Sequence, residues 1–140
     1  MVYREKLVPA GGTPPSSGYS HGLAVDVGDT RIVFVTGQIA IDDAGDVIST
    51  DVEVQTRYVF DRIEAILDAG GLSMKDVVKA QIFLTDMSDF PLVSSIRDEY
   101  FDKPRPTSTL IEVGALVRPT CYIEIEVIAV VATSSKTPQS

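Results

Sequence analysis

Residues 50–71, TDVEVQTRYVFDRIEAILDAGG, carry the clearest periodic signal in the chain. Val52, Val59, Ile63, Ile66 and Leu67 fall on one stripe at helical spacing, so this segment must lay an apolar face on another layer. Thr50 with Glu53 matches a capping-box pattern at its start, and Gly70 and Gly71 stop it.

The layer it needs is supplied by strands. LAVDV (residues 23–27) and RIVFVTGQIAI (31–41) are rich in β-branched residues and are separated by GDT, the pattern of a hairpin; Thr36, Gly37 and Gln38 interrupt the apolar run of the second. DVVKAQIFLTD (76–86) reads as a strand, and DFPLVSSIRDEYF (89–101) as a second helix, with Pro91 in its first turn and Pro104 beyond its end. TSTLIEV (107–113), CYIEIEVIAVV (121–131) and the short extended piece YREKLVP (3–9) complete the strands. The order β-β-β-α-β-α-β-β predicts an α+β fold, two helices laid across one face of a mixed sheet. A chain of 140 residues with 44% apolar content suits one domain over 1–140, with a frayed tail from about residue 133.

The final strand poses a problem for the uncovered face. Ile123, Ile125 and Val127 share one parity while Tyr122, Glu124 and Glu126 share the other, and either face carries enough apolar area to call for a partner. A homo-oligomer is expected. Glu124 and Glu126 lie at i and i+2 in an apolar stretch, where a carboxylate must either face water or a neighbouring subunit, or titrate upward as general acids do. Ser108, Leu110 and Glu112 would share one face of their strand, and Thr107, Thr109 and Ile111 the other.

Charge and residue counts exclude several functions. Twenty acidic against twelve basic residues give a formal charge of −8 with no basic stripe, which argues against a nucleic-acid partner or an anionic membrane surface. No apolar run approaches the roughly 20 residues that span a bilayer, and MVYREKLVPA lacks the apolar stretch of a signal peptide. With a single cysteine, Cys121, these features point to the cytoplasm. The one histidine, His21, leaves no set for a metal site or a Ser-His triad, and no phosphate loop, GxSxG or HExxH is present. His21 in the Gly-, Pro- and Ser-rich loop AGGTPPSSGYSHG reads first as a residue that bonds its neighbours, and Cys121 as a small buried hydrophobe.

Several segments occur together in one order: GYSHG, VFVTGQIAID, GG followed by DVVKAQIFLTDMSDF, EYF, RPTSTLIEV and IEIEVIAV. This set resembles the Rid family, the reactive intermediate deaminases also called the YjgF family, and it covers nearly the whole chain. The resemblance implies a chorismate-mutase-like fold and a homotrimer with sheets packed around the centre, helices outside and a cleft at each subunit interface. It implies hydrolysis of a reactive enamine or imine to a carbonyl product and ammonia, with neither metal nor organic cofactor. Glu124 matches the glutamate that positions water, and Thr36, in place of a serine before Gly-Gln, joins it on the catalytic side. Tyr19, Gly37, Gln38, Ser94 (where an asparagine is common), Ser108 and Leu110 are the implied substrate-binding residues.

The largest departure from the resemblance is at Ser108. The deaminating branch reads roughly P-x-R-S-x-V-E-V there and clamps the substrate carboxylate with that arginine, whereas this chain reads P-T-S-T-L-I-E-V. A charge-assisted pair is worth roughly 1.5 to 3 kcal/mol, or about one to two powers of ten in affinity, so the usual 2-imino acids are not the expected substrates. Arg97 on the second helix and Arg118 in a loop are candidates to reach a cleft across an interface, although each reads first as a surface arginine; Arg105, three residues before Ser108 and between Pro104 and Pro106, is not a simple replacement. The competing expectation is a non-catalytic trimer that binds a small metabolite or a protein through the same cleft; ribonuclease activity, a label attached to some relatives, is disfavoured by the acidic charge and lone histidine.

Overall fold

The computed structural model describes residues 2–16 and 18–133, so the expected fraying of the tail falls almost entirely outside the described residues. Six strands and two helices follow the expected order: β1 (Val2–Leu7), β2 (Gly22–Val27), β3 (Thr30–Gln38), α1 (Val52–Ala69), β4 (Val77–Leu84), α2 (Phe90–Tyr100), β5 (Thr107–Glu112) and β6 (Ile123–Ala132). They build one sheet in the order β1-β2-β3-β6-β4-β5. Neighbours are antiparallel except β4 and β5, which run parallel because α2 carries the chain back between them.

The β2–β3 hairpin closes tightly, with Val27 opposite Thr30 and Gly28 at φ +57°, a left-handed conformation that glycine adopts without steric cost. Helix α1 lies over β3 and β6, burying Val59, Phe60, Ile63, Ile66 and Leu67 against Val33, Val35, Ile125 and Val127. Val52 is only partly buried at the margin of this core. Two short 3-10 turns, Met74–Asp76 and Met87–Asp89, precede β4 and α2; neither carries a periodic apolar pattern that the sequence could reveal.

The α1 stripe also buries Gln55 and Thr56, two polar residues within an apolar face. Gln55 is fully satisfied: its Nε2 donates to the carbonyls of Ser49 (2.8 Å) and Thr120 (2.7 Å), and its Oε1 accepts from the Tyr122 N–H (2.8 Å). One amide thereby ties the start of α1 to the entry of β6, which carries Glu124. A buried amide that loses such partners costs about 1 to 3 kcal/mol for each polar group left unpaired.

The N-terminus of α1 corrects the capping-box expectation. Asp51, not Thr50, is the cap: its Oδ1 accepts from the backbone N–H of Glu53 (2.8 Å) and Val54 (3.1 Å). An aspartate here satisfies two orphan donors and adds a negative charge at the positive end of the helix dipole. Asp51→Ala is expected to cost about 1 kcal/mol in urea denaturation, and Thr50→Ala much less; equal losses would return the cap to Thr50.

Candidate active site

The site begins at an irregularity in β3. Val35 pairs with Val127 but Gln38 pairs with Ile125, so β3 uses one more residue than β6 over this interval. This bulge accounts for the break that Thr36, Gly37 and Gln38 make in the apolar run. It turns Gln38 to the helix-bearing side, where it is 4% exposed, donates from Nε2 to the Thr36 carbonyl (2.8 Å) and accepts at Oε1 from Arg62 Nε (3.2 Å).

Thr36 is spent on the neighbouring loop. Its N–H donates to the carbonyl of His21 (2.9 Å) and its hydroxyl to that of Ser20 (2.6 Å), which holds Tyr19 and His21 beside the bulge. The Tyr19 and His21 rings meet edge to face at 6.3 Å, and Tyr19 remains 54% exposed.

Glu124 stands on β6 directly over Gly37. A Cβ at position 37 would collide with the Glu124 carboxylate and come within 2.8 Å of its carboxyl carbon, so only glycine leaves the space this side chain fills. In β6 the odd positions Ile123, Ile125, Val127 and Ala129 are buried under the helices, and Glu124 and Glu126 occupy the opposite face. Burial raises the Glu124 carboxyl above its ordinary value, and the charge of Glu126 raises it further.

A cleft of about 510 Å³ opens here, lined by Tyr19, His21, Gly37, Gln38, Arg62 and Glu124, with the exposed Val117 at its rim. Arg62 is fixed by Gln38 and by an ion pair to Asp43 (3.0 Å), and it is the only arginine or lysine among the lining residues. The His21 pKa is lowered, chiefly by burial and then by the Arg62 charge, which keeps its imidazole neutral near pH 7. Its Nδ1 is buried without a hydrogen-bond partner among the described residues. No three His, Cys, Asp or Glu side chains gather to hold a metal ion among the described residues.

The structure divides the sequence-predicted residues into two sets. Tyr19, Gly37, Gln38 and Glu124 line the cleft, and Thr36 braces it from behind. Ser94, Ser108 and Leu110 lie elsewhere. Ser108 and Leu110 pair with Ala80 and Ile82, both buried, which puts them on the helix-bearing face at the edge of the sheet. Strands β6 and β4 intervene between β3 and β5, a separation of about 14 Å at the usual strand spacing. Ser94 sits on α2 one turn before Arg97, and Arg97 Nη1 donates to the Ser108 hydroxyl (3.3 Å). Glu112 has a structural task, accepting from the Met87 N–H (2.8 Å). Arg118 donates to the Gly45 carbonyl at 2.6 Å, next to the cleft.

Arg62 and Asp43 were not singled out from sequence. The available signal was spacing: Arg62 follows Gln55 by seven residues and so returns to the same side of α1, at the polar margin of the apolar stripe.

Residues 12–131 match the family described as Endoribonuclease L-PSP. The chain belongs to this family, which includes the RutC and Rid proteins. It is 37% identical over 127 residues to the 3-aminoacrylate deaminase RutC of Acinetobacter baylyi, covering 90% of this chain and 97% of that protein. The Rid protein YyfA of Yersinia pestis superposes with a TM-score of 0.81 at 32% identity over 92% of this chain and all (100%) of that one. E. coli TdcF, solved with bound serine, gives a TM-score of 0.77 at 30% identity over 91% and 99% of the two chains. The Rid fold therefore holds for this chain, two helices on a mixed six-stranded sheet.

Two measurements test the geometry. Because the folded Glu124 carboxyl titrates above its ordinary value of 4.5, the folded state binds the extra proton and loses stability as pH rises through the raised value. Glu124→Gln is therefore expected to melt at or above the wild type at pH 7, with this relative gain shrinking as pH falls towards 4; a gain that grows on acidification would contradict the raised carboxyl. Gly37→Ala should push the Glu124 side chain out and return its titration, followed by carboxyl-carbon NMR, towards the ordinary value. An unmoved titration would place Glu124 away from Gly37.

Proposed function

We propose that this protein hydrolyses a reactive enamine or imine to ammonia and a carbonyl product, at clefts completed between the subunits of a homotrimer in the cytoplasm. The observation that carries the reading is Glu124: a carboxyl with a raised pKa, seated over a glycine in a cleft large enough for a small metabolite. Deamination as the general chemistry follows the named activity of the RutC relative.

The reaction asks little of the protein. An imine carbon is already electrophilic, and an enamine reaches the same state by taking a proton on carbon. Glu124 in its acid form gives a proton to the imine nitrogen while water adds to the carbon. Its carboxylate takes a proton from the adding water, returns it to the amine nitrogen of the carbinolamine, and then accepts the hydroxyl proton as the carbon–nitrogen bond breaks, so that imine and water become carbonyl and ammonia. Near neutral pH a carboxyl with a raised pKa is better matched to these transfers than an ordinary glutamate. Gln38 is locked by Thr36 and Arg62 and offers a fixed wall, and the exposed Tyr19 ring is placed to cover a bound substrate.

The trimer explains two things that one protomer leaves open. The face of the sheet opposite the helices carries Phe34, Phe83, Ile111 and Ile128, with Phe34 44% and Ile111 42% exposed, and a packed neighbour would cover them. In the proposed trimer the α2–β5 edge with Ser94, Ser108 and Leu110 of one subunit would meet the Glu124 cleft of the next. A family described by ribonuclease activity invites that reading, yet the cleft sets Asp42, Asp43 and Glu124 against the single cation Arg62, a poor seat for a polyanion. The serine held by the TdcF relative favours, as the second reading, a trimer that binds a small amino-acid-like metabolite without turning it over.

Stopped-flow decay of freshly generated enamines and imines separates the two. Acceleration by the wild type and loss of at least 100-fold in Glu124→Gln are expected. Decay that the protein leaves unchanged for every substrate, combined with ligand-induced thermal stabilisation, would replace hydrolysis by binding.

A further inference from the structure

Arginine 97 is held in an unusual setting for a surface side chain. It is 22% exposed, its Nε donates to Asp98 Oδ1 (3.2 Å), and its Nη1 donates to Ser108 Oγ (3.3 Å). Arg105 draws on the same Asp98 oxygen at 3.8 Å. Two guanidinium groups thus share one carboxylate, which leaves a local excess of positive charge on a chain whose net charge is −8. The Glu124 cleft has the opposite balance, since Arg62 is committed to Asp43 and Gln38 with Asp42 and Glu124 close by. An anionic group on a substrate therefore meets no unpaired arginine or lysine among the described residues that line the Glu124 cleft.

We infer that Arg97, braced by the Ser108 hydroxyl, is the residue that binds the carboxylate of a 2-imino acid or its enamine. The inference rests on the hydrolysis and the subunit arrangement proposed above. A guanidinium has five N–H donors; Asp98 takes the Nε donor and Ser108 one of the four on the Nη1–Nη2 edge. That edge is the planar fork that a carboxylate engages bidentately. The Ser108 hydroxyl, by accepting from Arg97, keeps its own proton to donate to the same anion. The short serine is what lets an arginine from α2 reach this point of β5, because a long side chain at 108 would fill the same space. The substitution at 108 moves the cation from strand to helix, and carboxylated imines remain substrates.

The test compares 2-iminopropanoate, generated from alanine by an amino-acid oxidase, with ethanimine, generated from ethylamine by an amine oxidase and lacking the carboxylate. Arg97→Met should raise KM for the first by about 10- to 100-fold, the range of one charge-assisted pair, and leave kcat/KM for the second unchanged. Arg97→Lys, which keeps the charge and loses the fork, should recover part of the difference. In parallel, pyruvate binding is titrated by NMR in Glu124→Gln protein with and without Arg97→Met, using oligomers whose size and melting temperature match the parent. Binding should weaken by the same factor. Equal effects on both imines, or pyruvate that fails to bind or binds equally well without Arg97, would overturn the assignment. Pyruvate held through Arg97 by a protein that hydrolyses neither imine would uphold Arg97 and overturn the proposed hydrolysis.

Discussion

The alternation of strand β6 under helix α1 is the constraint on which the rest of this structure depends. Ile123, Ile125, Val127 and Ala129 are each at most 2% exposed, and together with Val59, Ile63 and Ile66 of α1 they form the centre of the core. Since successive strand residues point to opposite sides, committing these four to the helices commits Glu124 and Glu126 to the other face. A one-residue slip would bury two carboxyl groups in the core, at a cost comparable to the whole stability of a domain this size. Gln55 guards against that slip, because its three hydrogen bonds fix the residues just before β6 relative to the first turns of α1.

The bulge in β3 converts this scaffold into a site. Without the extra residue, a regular ladder would set a side chain beside Glu124; with it, Gly37 meets the carboxyl and Gln38 turns into the core to hold Arg62. Burying an acid in this way opposes folding at neutral pH, and the apolar core beneath offsets it. The same architecture separates charge. The cleft gathers carboxylates around one committed arginine, while the α2–β5 edge gathers Arg97 and Arg105 around one aspartate, so the two regions are complementary in sign.

Much of the fold was legible in the sequence because its elements are strongly periodic. The α1 stripe, the β2–β3 hairpin and the Pro91 start of α2 each combine apolar spacing with a local stop or start signal. The cap of α1 was displaced by one residue, since Thr50 and Asp51 are both competent and only backbone geometry shows which oxygen reaches two N–H groups. Thr36, Gly37 and Gln38 were recognisable as an interruption but not as a bulge, because register is a property of two strands. Arg62 was missed, and Arg97 was named without a settled place, for another reason: a long side chain can reach several places, and its partners 24 and 11 residues away in sequence decide among them.

The sequence by itself determined the layers, the order of the elements and the family, because these follow from periodicity and from short segments recurring in order. It also fixed Glu124 and Ser108 as positions to watch. Only the tertiary structure decided that these two face opposite sides of the sheet, that Glu124 rests on Gly37, and that an arginine from α2 stands at the serine. Those outcomes depend on pairing register and on side-chain reach across elements, neither of which is encoded within any one segment.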